Sequence, residues 1–119
     1  MMQQLNLNSK KAFVKIILDI VHADKFVSPS EFIYLGEIQK AIGISDEELD
    51  DAQHLNTIDC LVEIRDFSPE IKKEIAITLY EFIISDQDIH KNEVKTFLVI
   101  CDGADIDIPL EISKSLGIH

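Results

Sequence analysis

A chain of 119 residues, 46% of them hydrophobic, holds enough apolar material for one globular core without disulfide staples. Its 22 acidic against 11 basic residues leave a formal charge of −11, a field that repels phosphate backbones and anionic headgroups. Nucleic acid and membrane surfaces are therefore poor partners, and cations or basic protein surfaces are better ones.

The opening MMQQLNLNSKK lacks the apolar stretch and small-residue cleavage site of a signal peptide. The most apolar run, Ala12 to Ala23, is broken by Lys15 and Asp19 and is too short to span a bilayer, so no membrane insertion is expected. Cys60 and Cys101 stand outside any CxxC spacing in apolar contexts, which predicts reduced core residues of a cytoplasmic protein.

Helical signals then follow in chain order. Ser9 is expected to cap a first helix whose inward stripe is Phe13, Ile17, Ile20 and Asp24, at i, i+4, i+7 and i+11, widened by Ile16 and Val21. Ser28-Pro29-Ser30-Glu31 is a start signal: Ser28 as N-cap, Pro29 at N1 and Glu31 at N3 closing a capping box. That helix carries Leu35, Ile38 and Ile42 and stops at Gly43. Ser45-Asp46-Glu47-Glu48 repeats the box and opens a short helix through Leu49 and Ala52. Thr57 to Asp66 reads as another, with Leu61 and Ile64 inward. Ser68-Pro69-Glu70 starts a long helix carrying Ile75, Leu79, Phe82 and Asp86, and a further helix runs from Lys91 to Cys101 with Phe97 and Ile100 inward. The tail ADIDIPLEI alternates like a strand, yet Pro109 can open a last helix, and helix is the expectation. The predicted class is all-α: one domain over 1–119 of about six or seven helices.

A shift of 62 residues overlays the two halves, roughly 12–44 on 74–106. Phe13 meets Ile75, Ile17 meets Leu79, Ile20 meets Phe82, and Val21 meets Ile83. Asp24 then falls on Asp86, Val27 on Ile89, Glu31 on Glu93, Leu35 on Phe97, and Ile38 on Ile100. Both connections read D-x-x-[V/I]-x-x-x-E between a long helix and the next, which predicts a duplicated helix–turn–helix unit related by an approximate twofold axis.

Asp24 and Asp86 extend the inward stripes of their helices, and Glu31 and Glu93 begin those of the next. All four carboxylates are thus expected on the core side, where an ionised carboxylate is costly unless paired, hydrogen-bonded or metal-bound. The aspartates sit at helix C-termini, where the macrodipole is already negative. Two carboxylates at ~5 Å repel by roughly 3 kcal/mol at an effective dielectric of ~20. A bound cation removes both problems. Structural capping is the competing account: Glu31 is explained by its box with Ser28, Asx-turns can satisfy Asp24 and Asp86, and Lys25 and Lys91 lie near in sequence. Its weak point is Glu93, whose N-cap position holds His90, a poor capper.

HADKFVSPSEF, followed 62 residues later by ISDQDIHKNEV, resembles the TerB-like family, named for the tellurite-resistance protein TerB. The resemblance runs from about Ala12 to Cys101. It implies an all-helical, internally duplicated, non-enzymatic domain whose paired acids, here Asp24, Glu31, Asp86 and Glu93, form a divalent-cation site. It also implies a cytoplasmic stress-response role through protein contacts, since related domains stand beside DnaJ-type co-chaperone modules. Where the family often has Gly after the Asp, this chain has Lys25 and Gln87, a departure that implies different loops if that Gly supplies a left-handed turn and that sets a lysine where it would weaken cation binding.

Oxygen-only ligands favour Ca²⁺, Mg²⁺ or Mn²⁺ over zinc. The twelve-residue ligand spacing of an EF-hand is missing, as are the Glu-x-x-His pairs of di-iron bundles. His22, His54, His90 and His119 show no zinc spacing, although His22 and His90 flank the acidic connections. No Gly-rich phosphate loop, nucleophile elbow or Cys–His arrangement occurs, so no enzyme is expected. Glu47, Glu48, Asp50 and Asp51 read as a solvated helix face, and Asp102, Asp105 and Asp107 as a solvated tail or a docking run for a basic protein partner.

Overall fold

The computed structural model describes residues 4–23, 27–85 and 89–118. They form seven helices: α1 (Leu7–Val21), α2 (Pro29–Ile42), α3 (Asp46–Gln53), α4 (Thr57–Arg65), α5 (Pro69–Ile84), α6 (Lys91–Gly103) and α7 (Leu110–Leu116). No strand occurs among the described residues.

Helix α1 is the hub. It packs against α3, α4, α5 and α6, and α6 also packs on α4 and α5. Its apolar residues occur all round, as a central helix requires, and Phe13, Ile16, Ile17 and Ile20 are fully buried. Burial of each such side chain contributes roughly 1.5–3 kcal/mol. Ile75, Leu79, Phe82 and Ile83 of α5 and Phe97 and Ile100 of α6 complete the same core. The radius of gyration is 13.1 Å, close to the ~13.5 Å of a compact chain this long. No helix among the described residues is long and apolar enough to cross a membrane.

The polar interruptions of α1 have structural partners. Lys15 Nζ and Asp19 Oδ1 form an i, i+4 ion pair at 3.0 Å, and the Thr57 hydroxyl donates to Asp19 Oδ2 at 2.8 Å. Together these tie α1 to the start of α4.

Caps fix most helix starts where the sequence puts them: Ser28, Ser45 and Ser68 each accept an N–H from the first turn. At α1 the cap differs from the one expected. Asn6 is its N-cap, accepting the Ser9 N–H at 2.8 Å, while the Ser9 hydroxyl is buried and donates to Glu63 Oε1 at 2.9 Å. The Asn6 side chain serves the same orphan donors one turn earlier than the expected Ser9 cap.

The tail is helical after an extended link at 106–109, with Pro109 as N-cap of α7 and Ile106 and Ile112 buried. The alternation in ADIDIPLEI reflects that link and is not a paired strand.

Candidate functional site

Of the four expected ligands, Glu31 and Glu93 fall in the described structure; Asp24 and Asp86 lie outside the described residues. Both glutamates occupy the third position of their helix, α2 and α6. Both are buried, at 2% and 1% exposure. The inward placement read from the sequence therefore holds for these two.

The local chemistry at Glu31 is explicit. The Ser28 N–H donates to Glu31 Oε1 at 3.1 Å, and the Glu31 N–H donates to Ser28 Oγ at 3.1 Å. Two orphan donors of the first turn are satisfied reciprocally, and Ser28 itself is buried. Oε2 is left over: it is buried and has no hydrogen-bond partner among the described residues. A buried acceptor in that condition is costly, more so on a charged group.

Glu93 stands at the equivalent place under the 62-residue shift, with its Oε1 sealed from solvent. Among the described residues its N-cap, His90, gives α6 no side-chain cap. Among the described residues no group of three or more His, Cys, Asp or Glu is disposed to hold a metal ion.

The sequence reading missed the residues that hold α2 in place. Tyr34 stacks on Phe82, ring centroids 4.5 Å apart and planes inclined at 21°. The Tyr34 hydroxyl donates to Glu81. Burial, then the hydrogen bond and charge of Glu81, then Glu37, push the Tyr34 phenol well above its ordinary value of 10.0. The available signal was spacing, because Tyr34 lies one turn after Glu31, on the side of α2 that carries Leu35 and Ile38.

The two helices that the 62-residue shift pairs, α2 and α6, are seated unequally. α2 buries Glu31 and Ile42, and Leu35 and Ile38 are half-buried. α6 buries Glu93, Phe97, Ile100 and Cys101. The full stripe expected for α2 is therefore only partly engaged, and Phe32 and Ile33 are 71% and 63% exposed.

His22 and His54 are exposed C-caps of α1 and α3, His90 is the N-cap residue of α6, and His119 lies outside the described residues. Burial pushes the Cys60 thiol to about 11 and the Cys101 thiol to about 12. Both stay protonated near neutral pH and are weak nucleophiles. A recess of about 550 Å³ opens between the start of α5 and the α6–α7 link, lined by lysines Lys72 and Lys73 and by Asp105, Asp107 and Glu111, and neither Glu31 nor Glu93 lines it.

No protein-family model and no curated protein matches the chain. It is similar to the crystal structure of a protein of unknown function from Porphyromonas gingivalis W83, with a TM-score of 0.76 and 21% identity over 94% of this chain and 97% of that one. That likeness shows a shared all-α fold.

Proposed function

We propose that this chain is a non-enzymatic, cytoplasmic adaptor domain of the TerB-like kind, whose fold or partner binding is tuned by one divalent cation. Asp24, Glu31, Asp86 and Glu93 would hold the ion. The observation that carries the reading is Glu31 Oε2, a buried carboxylate oxygen with no hydrogen-bond partner among the described residues. A capping box needs one carboxylate oxygen and leaves the second unexplained. The burial of Glu93 at the matching helix position adds support. An oxygen-only ligand set selects Ca²⁺, Mg²⁺ or Mn²⁺, which would supply positive charge to the buried carboxylates. The stress-response and tellurite-resistance roles rest on the TerB-like resemblance.

A second reading has its own observation. The box between Ser28 and Glu31 is complete in both directions, which favours a metal-independent interaction module whose acids are caps. Calorimetric titration of chelator-treated protein with Ca²⁺, Mg²⁺ and Mn²⁺ separates the two. The cation reading predicts saturable one-site binding, lost in Asp24→Asn and in Asp86→Asn, both of which remain folded. No binding of any ion leaves the second reading.

A further inference from the structure

α1 is apolar all round, and α3, α4, α5 and α6 pack about it. α2 is apolar all round as well, but only one side of it is covered. Ile42 is buried and Leu35 and Ile38 are half-buried on the inner side, whereas Phe32 and Ile33 stand outward, 71% and 63% exposed. A helix that is apolar on every side is one with neighbours on every side. Among the described residues nothing covers the outer side of α2.

At the middle of that side is a glycine for which the chain itself has no use. Gly36 is not in the left-handed region, and a Cβ on it would meet nothing within 4 Å. No turn and no close approach within the chain calls for glycine there, and in a helix interior glycine is less stable than alanine. What it provides is a notch where a second backbone can come close. Phe32, Ile33, Gly36 and Lys40 fall within an arc of roughly 100°, with Glu37 at its edge and Glu31 on the opposite side. Glu37 and Lys40 are exposed, and neither is in an ion pair among the described residues. At the other edge Gln39 donates to Asp46 at 2.7 Å.

We propose that the outer side of α2 pairs with the same side of a second copy of this chain, the two helices antiparallel and crossing at Gly36. The spacing is self-complementary. Phe32 and Lys40 lie four residues to either side of Gly36, so a twofold axis between the two glycines sets Phe32 and Ile33 of one copy level with Lys40 of the other. There the lysine stem covers the apolar side chains while its ammonium stays in water. The same axis brings both Glu37 and both Lys40 side chains to one flank, where their charges balance. A strongly basic or strongly acidic partner would find on this side one charge of each sign and no match. Such a contact is isologous and closes at two copies. It is small, belongs with the weak interfaces, and forms at high protein concentration. The formal charge of −11 on each copy opposes approach, so salt that shortens the Debye length to ~8 Å favours it. Glu31 faces the other way, so the contact and the cation reading are tested separately.

Sedimentation equilibrium in chelator and about 150 mM salt is the experiment. At about 1 mM protein, a Kd of the same order pairs roughly half the chains, so the weight-average mass is expected to rise roughly 1.5-fold above the 13.5 kDa monomer. It levels off at the mass of a dimer as concentration increases. Gly36→Gln fills the notch and is expected to stay monomeric. Its Tm in dilute solution should be no lower than that of wild type, which shows that the notch and not the fold was lost. Lys40→Glu gathers four carboxylates on one flank and Glu37→Lys four ammonium groups, and each alone is expected to stay monomeric. Mixed in equal amounts they recover association, because their flanks then balance. Circular dichroism confirms that each variant is folded. A wild-type chain that is monomeric at about 1 mM overturns the proposal and leaves this side of α2 to a different apolar helix. Association that survives Gly36→Gln, climbs past a dimer, or is not recovered on mixing overturns it equally.

Discussion

Ser28 and Glu31 hold each other across the first turn of α2, each backbone N–H donating to the other's side chain at 3.1 Å. This arrangement uses Oε1 and encloses Oε2. Two substitutions separate the roles. Ser28→Ala removes the acceptor for the Glu31 N–H and is expected to cost about 1 kcal/mol with or without ions. Glu31→Gln keeps an oxygen for the Ser28 N–H and removes the buried charge. In chelator it is expected to be as stable as wild type or more stable by about 1 kcal/mol, with no response to added ions. Urea denaturation with and without ions reads both.

Tyr34 clasps α2 to α5. Tyr34→Phe keeps the stack on Phe82 and leaves Glu81 without the phenol donor, an expected loss of about 1 kcal/mol. Tyr34→Ala also removes the aromatic pair and is expected to cost about 2–3 kcal/mol. Because α2 is otherwise anchored mainly by Glu31 and Ile42, the larger change should speed amide hydrogen exchange in α2 while α1 and α5 stay protected.

Unequal seating of α2 and α6 gives unequal truncation costs. Phe97 is fully buried, and Phe97→Ala is expected to cost about 3–5 kcal/mol. At the position 62 residues earlier, Leu35 is half-buried. Leu35→Ala is expected to cost about 1 kcal/mol. Equal losses would contradict the packing described for α2.

Most of the fold is legible in the sequence, for physical reasons visible at single residues. Ser28, Ser45 and Ser68 mark helix starts because each provides a short-range acceptor, and Pro29 and Pro69 add a fixed φ at the first helical position. Stripes such as Ile75, Leu79 and Phe82 identify buried faces because apolar burial follows the helical period. The Asn6 cap of α1 was not legible, since Asn6 and Ser9 both offer the needed oxygen and tertiary packing against Glu63 decides between them. The depth to which α2 seats was equally hidden: periodicity specifies a face but not how much of it finds a partner. At the site, the burial of Glu31 and Glu93 follows from stripe position. The free oxygen of Glu31 does not, because it depends on what surrounds a side chain after folding.

Alkaline pH reports the buried thiols. The Cys101 thiol is held up from 9.0 to about 12 by burial, so between those values the folded state keeps a proton that the unfolded chain loses. The stabilising difference is complete below pH 9.0 and is lost as pH rises toward about 12. Stability should fall with a slope of up to ~1.4 kcal/mol per pH unit from this group. In Cys101→Ala the slope above pH 9 is expected to be shallower, measured by urea unfolding at a series of pH values.

Gly43 ends α2 in the left-handed region at φ 74°. A Cβ there would meet open space, so Gly43→Ala isolates backbone strain and is expected to cost about 1–2 kcal/mol in thermal or urea unfolding.

The most direct test of the central claim is a thermal melt of chelator-treated protein with and without Ca²⁺, Mg²⁺ or Mn²⁺. An ion at a hundred times its Kd stabilises by ~2.7 kcal/mol, which in a domain of this size raises Tm by roughly 10 °C. The account predicts a shift of that order with at least one ion, lost in Asp86→Asn and in Glu31→Gln. No shift with any ion, or a shift that survives both substitutions, would contradict it.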